Sequence, residues 1–162
     1  MGGENTTQVY RVYIKASPEA IWRAVTDPDW TEKYGYGGRT YFEPDVRTGA
    51  TFRSVADEEM QAAGMPEVVL TGEVLEADPP RKLVLAWQAQ WEPKEPATRL
   101  TYEIAEGEQG VTSLTVTHEL AGAPNLAAMV GGELESQGAG GGWAMVLSDL
   151  KTLLETGKGF HA

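Results

Sequence analysis

The sequence predicts an α+β fold: an antiparallel sheet of about six or seven strands over one long C-terminal helix, with two short helices after the first strand. Three observations carry this. The last regular segment, Trp143 to Glu155, sets Trp143, Val146, Leu147, Leu150, Leu153 and Leu154 on one face, at the spacing of a helix lying on an apolar surface. Ser148, Asp149, Lys151, Thr152 and Glu155 fall on its other, wet face. The middle of the chain alternates apolar and polar residues over strand-length runs. Short turns join the later runs, which makes them antiparallel neighbours with one buried face.

The elements follow in order. Val9 to Lys15 alternates Tyr10, Val12 and Ile14 against Arg11, Tyr13 and Lys15, as a strand does. Ser17 then caps a helix, Pro18 fits its first position and Glu19 suits its positive end. That helix carries Ile21, Trp22 and Val25 inward. Asp27-Pro28 breaks it and opens a second short helix through Trp30 to about Tyr34. Tyr41 to Val46 and Ala50 to Val55 read as strands joined at Arg47-Thr48-Gly49. Asp57 to Glu67 reads as a loop with one helical turn. Val68 to Ala77, Lys82 to Trp91, Thr98 to Ala105 and Val111 to Leu120 complete the sheet. Gly122 to Gly142 reads as a long connection back to the buried face. One domain over residues 8–156 is expected, with residues 1–7 and 157–162 as flexible tails.

Composition narrows the function classes. Of 162 residues, 41% are hydrophobic and 23% charged, the balance of a soluble globular chain. There is no cysteine, so disulfides, thiolate nucleophiles and cysteine zinc sites are excluded. The 24 acids against 13 bases give a net charge of -11, which repels phosphate backbones and anionic lipid. Nucleic acid is therefore not an expected partner. No basic region with a following apolar stretch marks a signal peptide, and no run approaches a membrane span, so a cytoplasmic protein is expected. Thr6 completes a short myristoylation pattern after Gly2, with no second anchoring signal.

Four stretches carry a family resemblance: Ala16-Ser17-Pro18-Glu19-Ala20-Ile21-Trp22, Gly72 to Leu83 with its Ala77-Asp78-Pro79-Pro80-Arg81 turn, Thr115-Val116-Thr117-His118-Glu119-Leu120, and Gly142-Trp143 leading into Leu147, Asp149-Leu150 and Leu153-Leu154-Glu155. In that order the chain resembles the START-like, helix-grip (SRPBCC) superfamily, in which a curved antiparallel sheet grips a long C-terminal helix. Within it, the chain is similar to the branch named after activators of the ATPase of the ninety-kilodalton heat-shock chaperone. The resemblance runs from about Gln8 to Glu155. It implies a cavity between sheet and helix, and single-domain members are mostly taken as ligand-binding or uncharacterised. The eukaryotic co-chaperone resembles this chain only through its C-terminal domain. Its chaperone-contacting N-terminal domain has no counterpart before the first strand here, so chaperone activation is the lesser expectation.

The candidate ligand-binding residues are Trp30, Tyr34, Trp87, Trp91, Tyr102, His118, Trp143 and Leu147. The aromatics give a pocket apolar area with hydrogen-bonding tips, and each can equally fill a core. His118 is in phase with Leu114, Val116 and Leu120 and points inward, as an orienting group, a general base or a satisfied core histidine. Arg53, Glu73 and Arg99 fit a polar pocket end or, more simply, a solvated outer face. Met60, Met65 and Met129 suit an adaptable rim or irregular core gaps. The Gly138 to Gly142 run lacks a phosphate-loop lysine and reads as a hinge into the helix. The only histidines are His118 and His161, so no metal site is expected, and no cofactor pattern is present.

No complete catalytic constellation is present, so no catalytic residue is assigned. The leading expectation is a non-catalytic binder of a small hydrophobic molecule (lipid, polyketide-like or aromatic), as a monomer or weak homodimer. A cyclase- or dehydratase-type enzyme using His118 and Tyr102 is one alternative. A co-chaperone-like module with an exposed apolar patch is another, with a chaperone as partner.

Overall fold

In the computed structural model, which describes residues 6–137 and 140–160, the chain runs β1 (Thr7–Ile14), α1 (Pro18–Thr26), α2 (Pro28–Thr31), β2 (Arg39–Glu43), β3 (Thr51–Val55), α3 (Glu58–Ala62), β4 (Val68–Asp78), β5 (Lys82–Ala89), β6 (Thr98–Glu106), β7 (Thr112–Glu119), α4 (Pro124–Val130), a 3-10 turn (Glu135–Gln137) and α5 (Gly142–Thr156). The local chemistry explains the boundaries. Ser17 Oγ accepts from the Ala20 amide at 3.1 Å, and Asp27 Oδ1 accepts from the Asp29 amide at 2.9 Å, so each of the first two helices begins on a side-chain cap followed by proline. Gly157 ends α5 in the left-handed region, its N–H donating to Leu153 O at 2.8 Å.

The strands form one seven-stranded antiparallel sheet in the order β1-β7-β6-β5-β4-β3-β2. Register places the inward side chains in rows. Tyr10, Val116, Tyr102 and Leu83 share one, and His118, Leu100 and Leu85 another. Trp87 stands opposite Gly72, which stands opposite Phe52. A Cβ on Gly72 would lie 1.7 Å from Ala86 O and 2.7 Å from the Phe52 ring, so only glycine fits there. Register shifts at Ser54/Val55 and Val74/Glu76 interrupt the ladders on both sides of β4, the kind of irregularity that bends a strand. Leu83, Leu100, Leu114 and Val116 from the sheet meet Leu147 and Leu150 of α5, Ile21 of α1 and Leu126 of α4 in one core.

The fold class, the strand count and the terminal helix match the sequence expectation, and four local details differ. The expected plain connection from Gly122 to Gly142 contains α4, whose Leu126 and Val130 face the core at helical spacing. Gly138 and Ala139 of the glycine run lie outside the described residues, as does His161. Gly142 itself opens α5 with a φ of 68°, and a Cβ there would lie 2.2 Å from Val130 O. Strand β5 ends at Ala89, so Trp91 sits in the turn that follows, and α2 ends before Tyr34. Asp149, assigned to the wet face of α5, is 0% exposed. Its carboxylate accepts from the Gly35 amide and from the Phe160 amide, each at 2.8 Å. Those partners are backbone groups, which no side-chain pattern reveals.

Among the described residues, no helix is long and apolar enough to cross a membrane.

Candidate functional site

The inner face of the sheet gathers five of the eight candidate residues into one contiguous row of rings. Tyr102 of β6 meets Trp143 of α5 at 6.2 Å between centroids, and Trp143 meets His118 of β7 at 6.0 Å. His118 meets Trp87 of β5 at 4.9 Å, and Trp87 meets Trp91 at 6.0 Å. All four contacts are edge-to-face, the arrangement that ring quadrupoles favour. Leu147 is buried in the core beneath the same helix. Tyr34 donates its hydroxyl to Ala24 O at 2.9 Å, and its pKa is raised well above the ordinary value, first by burial and then by Tyr102 and Asp149. Trp30 stands apart from the ring row, with the Lys33 ammonium 4.1 Å over its ring.

His118 is the hub of a hydrogen-bond chain whose direction can be worked out. An indole nitrogen only donates. Trp143 Nε1 lies 3.1 Å from His118 Nδ1, so Nδ1 is the acceptor and the ring proton sits on Nε2. Nε2 then donates to Thr98 Oγ1 at 2.8 Å, and Thr98 passes its own proton to Trp87 O at 3.3 Å. His118 is 0% exposed, and burial lowers its pKa to about 4. It is therefore a neutral histidine with both nitrogens engaged, bonded to α5 on one side and to β6 on the other. The His118–Tyr102 acid–base pair that the enzyme alternative requires is not formed by direct contact.

Glu95 is a residue that sequence reasoning missed. It lies in the loop between β5 and β6, is buried, and places its two oxygens 2.9 Å from the Asn125 and Leu126 amides. Helix α4 has no side-chain cap of its own, so Glu95 supplies one from a distance. The same bonds hold the Trp91 loop against α4. The only available signal was the Pro124 start of a short apolar pair, Leu126 and Val130.

The charged candidates face outward. Arg53 pairs with Glu43 and Arg99 with Glu119, both at 3.5 Å, and Glu73 is exposed. A cleft of about 540 Å³ opens between the segment after α2, helix α3 and the end of α5. Tyr34, Tyr36, Met60 and Leu153 line it, together with the charged residues Glu32, Lys33, Asp57 and Glu59. A shallower groove of about 610 Å³, between α1 and the β4–β5 turn, is walled by Trp22, Pro28, Pro79 and Pro80 and touches none of the ring row.

The model of the family described as "Activator of Hsp90 ATPase homolog 1-like protein" matches residues 15–155. The chain belongs to this family. No protein with a curated description matches it. Among solved structures, the family chain is similar to the Aha1 dimer from Colwellia psychrerythraea, at 21% identity and a TM-score of 0.66, covering 94% of this chain and 98% of that one. It is similar to CalU16 from Micromonospora echinospora at 19% identity and a TM-score of 0.63, covering 93% and 77%. DynU16, from the dynemicin biosynthetic locus, matches at 24% identity and a TM-score of 0.65 over 96% of this chain, which spans about half (49%) of DynU16. At these identities the likeness establishes the helix-grip fold, which the resemblance had implied.

Within this family chain the interior polar groups are nearly all spent. Each buried polar or charged side chain, from Thr26 to Asp149, makes a hydrogen bond. Two groups along the ring row do not. Trp91 Nε1 is sealed from solvent with no partner among the described residues, at a cost of about 1–3 kcal/mol for such a donor. Tyr102 Oη also makes no hydrogen bond among the described residues. Tyr102 is deep enough for burial to push its pKa well up, yet it keeps partial accessibility.

Proposed function

We propose that the chain binds a small, largely apolar molecule between the inner face of the sheet and α5, against Tyr102, Trp143 and Trp91. The observation that carries this reading is Tyr102. A phenol packed among rings ordinarily finds a partner, and this half-buried one makes no hydrogen bond among the described residues. The rings around it offer apolar area, and His118 fixes the Trp143 indole in one orientation. Tyr34 walls the cleft of about 540 Å³, a volume in the range of small-molecule sites, and it interacts electrostatically with Tyr102. Apolar burial supplies the affinity, at about 0.8 kcal/mol per buried methylene. His118, Trp87 and Leu147 serve as the fixed wall.

Titration with tetralin, a two-ring hydrocarbon, followed by amide chemical shifts tests the reading. The expected shifts fall on Tyr102, His118, Trp143 and Tyr34. Shifts confined to outward residues such as Val9 and Leu75, or no shift up to the solubility limit, would remove it.

A further inference from the structure

We infer that residues 157–160 form a strap that closes one wall of the cleft, latched by the Phe160 amide to Asp149, and that its release is the step that exposes the Asp149–Gly35 bond beneath it. This goes beyond the binding reading above and does not depend on it.

The segment after α5 has little to hold it. Gly157 turns the chain in the left-handed region, and Lys158 bonds only to the Thr156 hydroxyl, at the helix end from which the segment grows. Lys158 and Phe160 are both exposed, so no side chain packs the segment down. Among the described residues, its one hydrogen bond beyond the last turn of α5 runs from Phe160 N–H to Asp149 Oδ1, at 2.8 Å. That bond lies over a buried pair. Asp149 is sealed from solvent, and its other oxygen accepts from the Gly35 amide, which is buried too. Gly159 lies directly against the carboxylate: a Cβ there would come within 2.6 Å of Asp149 Oδ1 and 3.0 Å of Lys33 O. The strap backbone therefore fills the space between Asp149 and the segment that carries Gly35. That segment is held on both sides of Gly35, by Tyr34 on Ala24 O and by Tyr36 on the Gly142 backbone. The free end of the arrangement is the strap. When Phe160 leaves, Oδ1 loses its donor and water reaches the carboxylate. Water then competes for Oδ2 as well, and the Gly35 amide loses its protection. Gly157 and Gly159 both line the cleft, so the same motion widens it beside Tyr34 and Leu153.

Hydrogen exchange of the full chain, read amide by amide by NMR, tests this without any ligand. In the wild type, the Gly35 and Phe160 amides should share one opening, with opening constants that agree within about threefold. The Leu100 and Val116 amides, in the central strands β6 and β7, should open far more rarely. A larger difference between Gly35 and Phe160 would show that something other than the strap guards Gly35, and would overturn the inference. Exchange of all four amides through one common opening would overturn it too, since the strap would then have no motion of its own. The variant Gly159→Ala lifts the strap, because its methyl group cannot fit against Asp149 Oδ1, and it alters neither α5 nor the sheet. In it, Gly35 should exchange at least about tenfold faster, the worth of one hydrogen bond, while Leu100 and Val116 keep their wild-type rates. An unchanged Gly35 rate in this variant also refutes the latch. Should Gly159→Ala lose its fold, Leu100 and Val116 will report it, and the wild-type comparison decides alone.

Discussion

Replacing His118 by glutamine should remove a specific acid sensitivity from the fold. The unfolded imidazole titrates near 6.5, and burial lowers the folded value to about 4. Above the unfolded value both states are neutral, and His118 contributes nothing to the pH dependence. As pH falls below it, the unfolded chain takes up a proton that the native chain refuses, so stability falls. The loss continues until the folded value is reached and is constant below it. Integrated from neutral pH down to about pH 4.5, the loss from this one group is about 2.5 kcal/mol. The assay is urea unfolding of wild type and His118→Gln at both pH values. Subtracting the two proteins cancels the carboxylates they share. The wild-type stability should drop by about 2–3 kcal/mol more than that of the variant over this interval. His118→Gln will be less stable at neutral pH, because glutamine cannot serve both Trp143 Nε1 and Thr98 Oγ1, and that offset does not affect the slope. Parallel pH profiles would refute the buried, neutral assignment and with it the proton on Nε2.

Trp143→Ala deletes a large side chain from the row and leaves His118 Nδ1 without its donor, so it should cost about 3–5 kcal/mol; a melting temperature within a degree or two of the wild type would contradict the packing described. Glu95→Ala uncaps the Asn125 and Leu126 amides and should cost about 1–2 kcal/mol, with faster hydrogen exchange confined to α4 and the Trp91 loop; protection unchanged at both places would show that the carboxylate does not hold them together.

The architecture was legible because it rests on periodicity. The apolar stripe from Trp143 to Leu154 and the alternation through Leu83, Leu85 and Trp87 survive in the fold, since both follow from geometry that repeats residue by residue. His118 was placed on the inner face for the same reason. Its state was not legible, because Thr98 and Trp143 come from other elements and only the tertiary structure brings them to its two nitrogens. The aromatic row was legible as a set of inward positions. Which tips remain unspent was not, since that depends on every partner at once.

The two acids that sequence patterning misread or missed lie at opposite ends of that row. Asp149 was assigned to solvent because an acid on a helix ordinarily faces water, and it is buried because the Gly35 and Phe160 amides meet it. Gly35 follows Tyr34 directly, so Asp149 fixes the segment that walls the cleft. Glu95 does the same for the loop that carries Trp91, through the Asn125 and Leu126 amides. Both acids hold irregular backbone, with donors that a hydrophobic stripe cannot supply. A regular sheet and helix would not need them. Segments that close the two ends of a binding space must be irregular enough to yield and still have one resting position, and a buried carboxylate bonded to two backbone amides provides that position. The departures from the simple pattern therefore fall where the proposed binding space meets its surroundings.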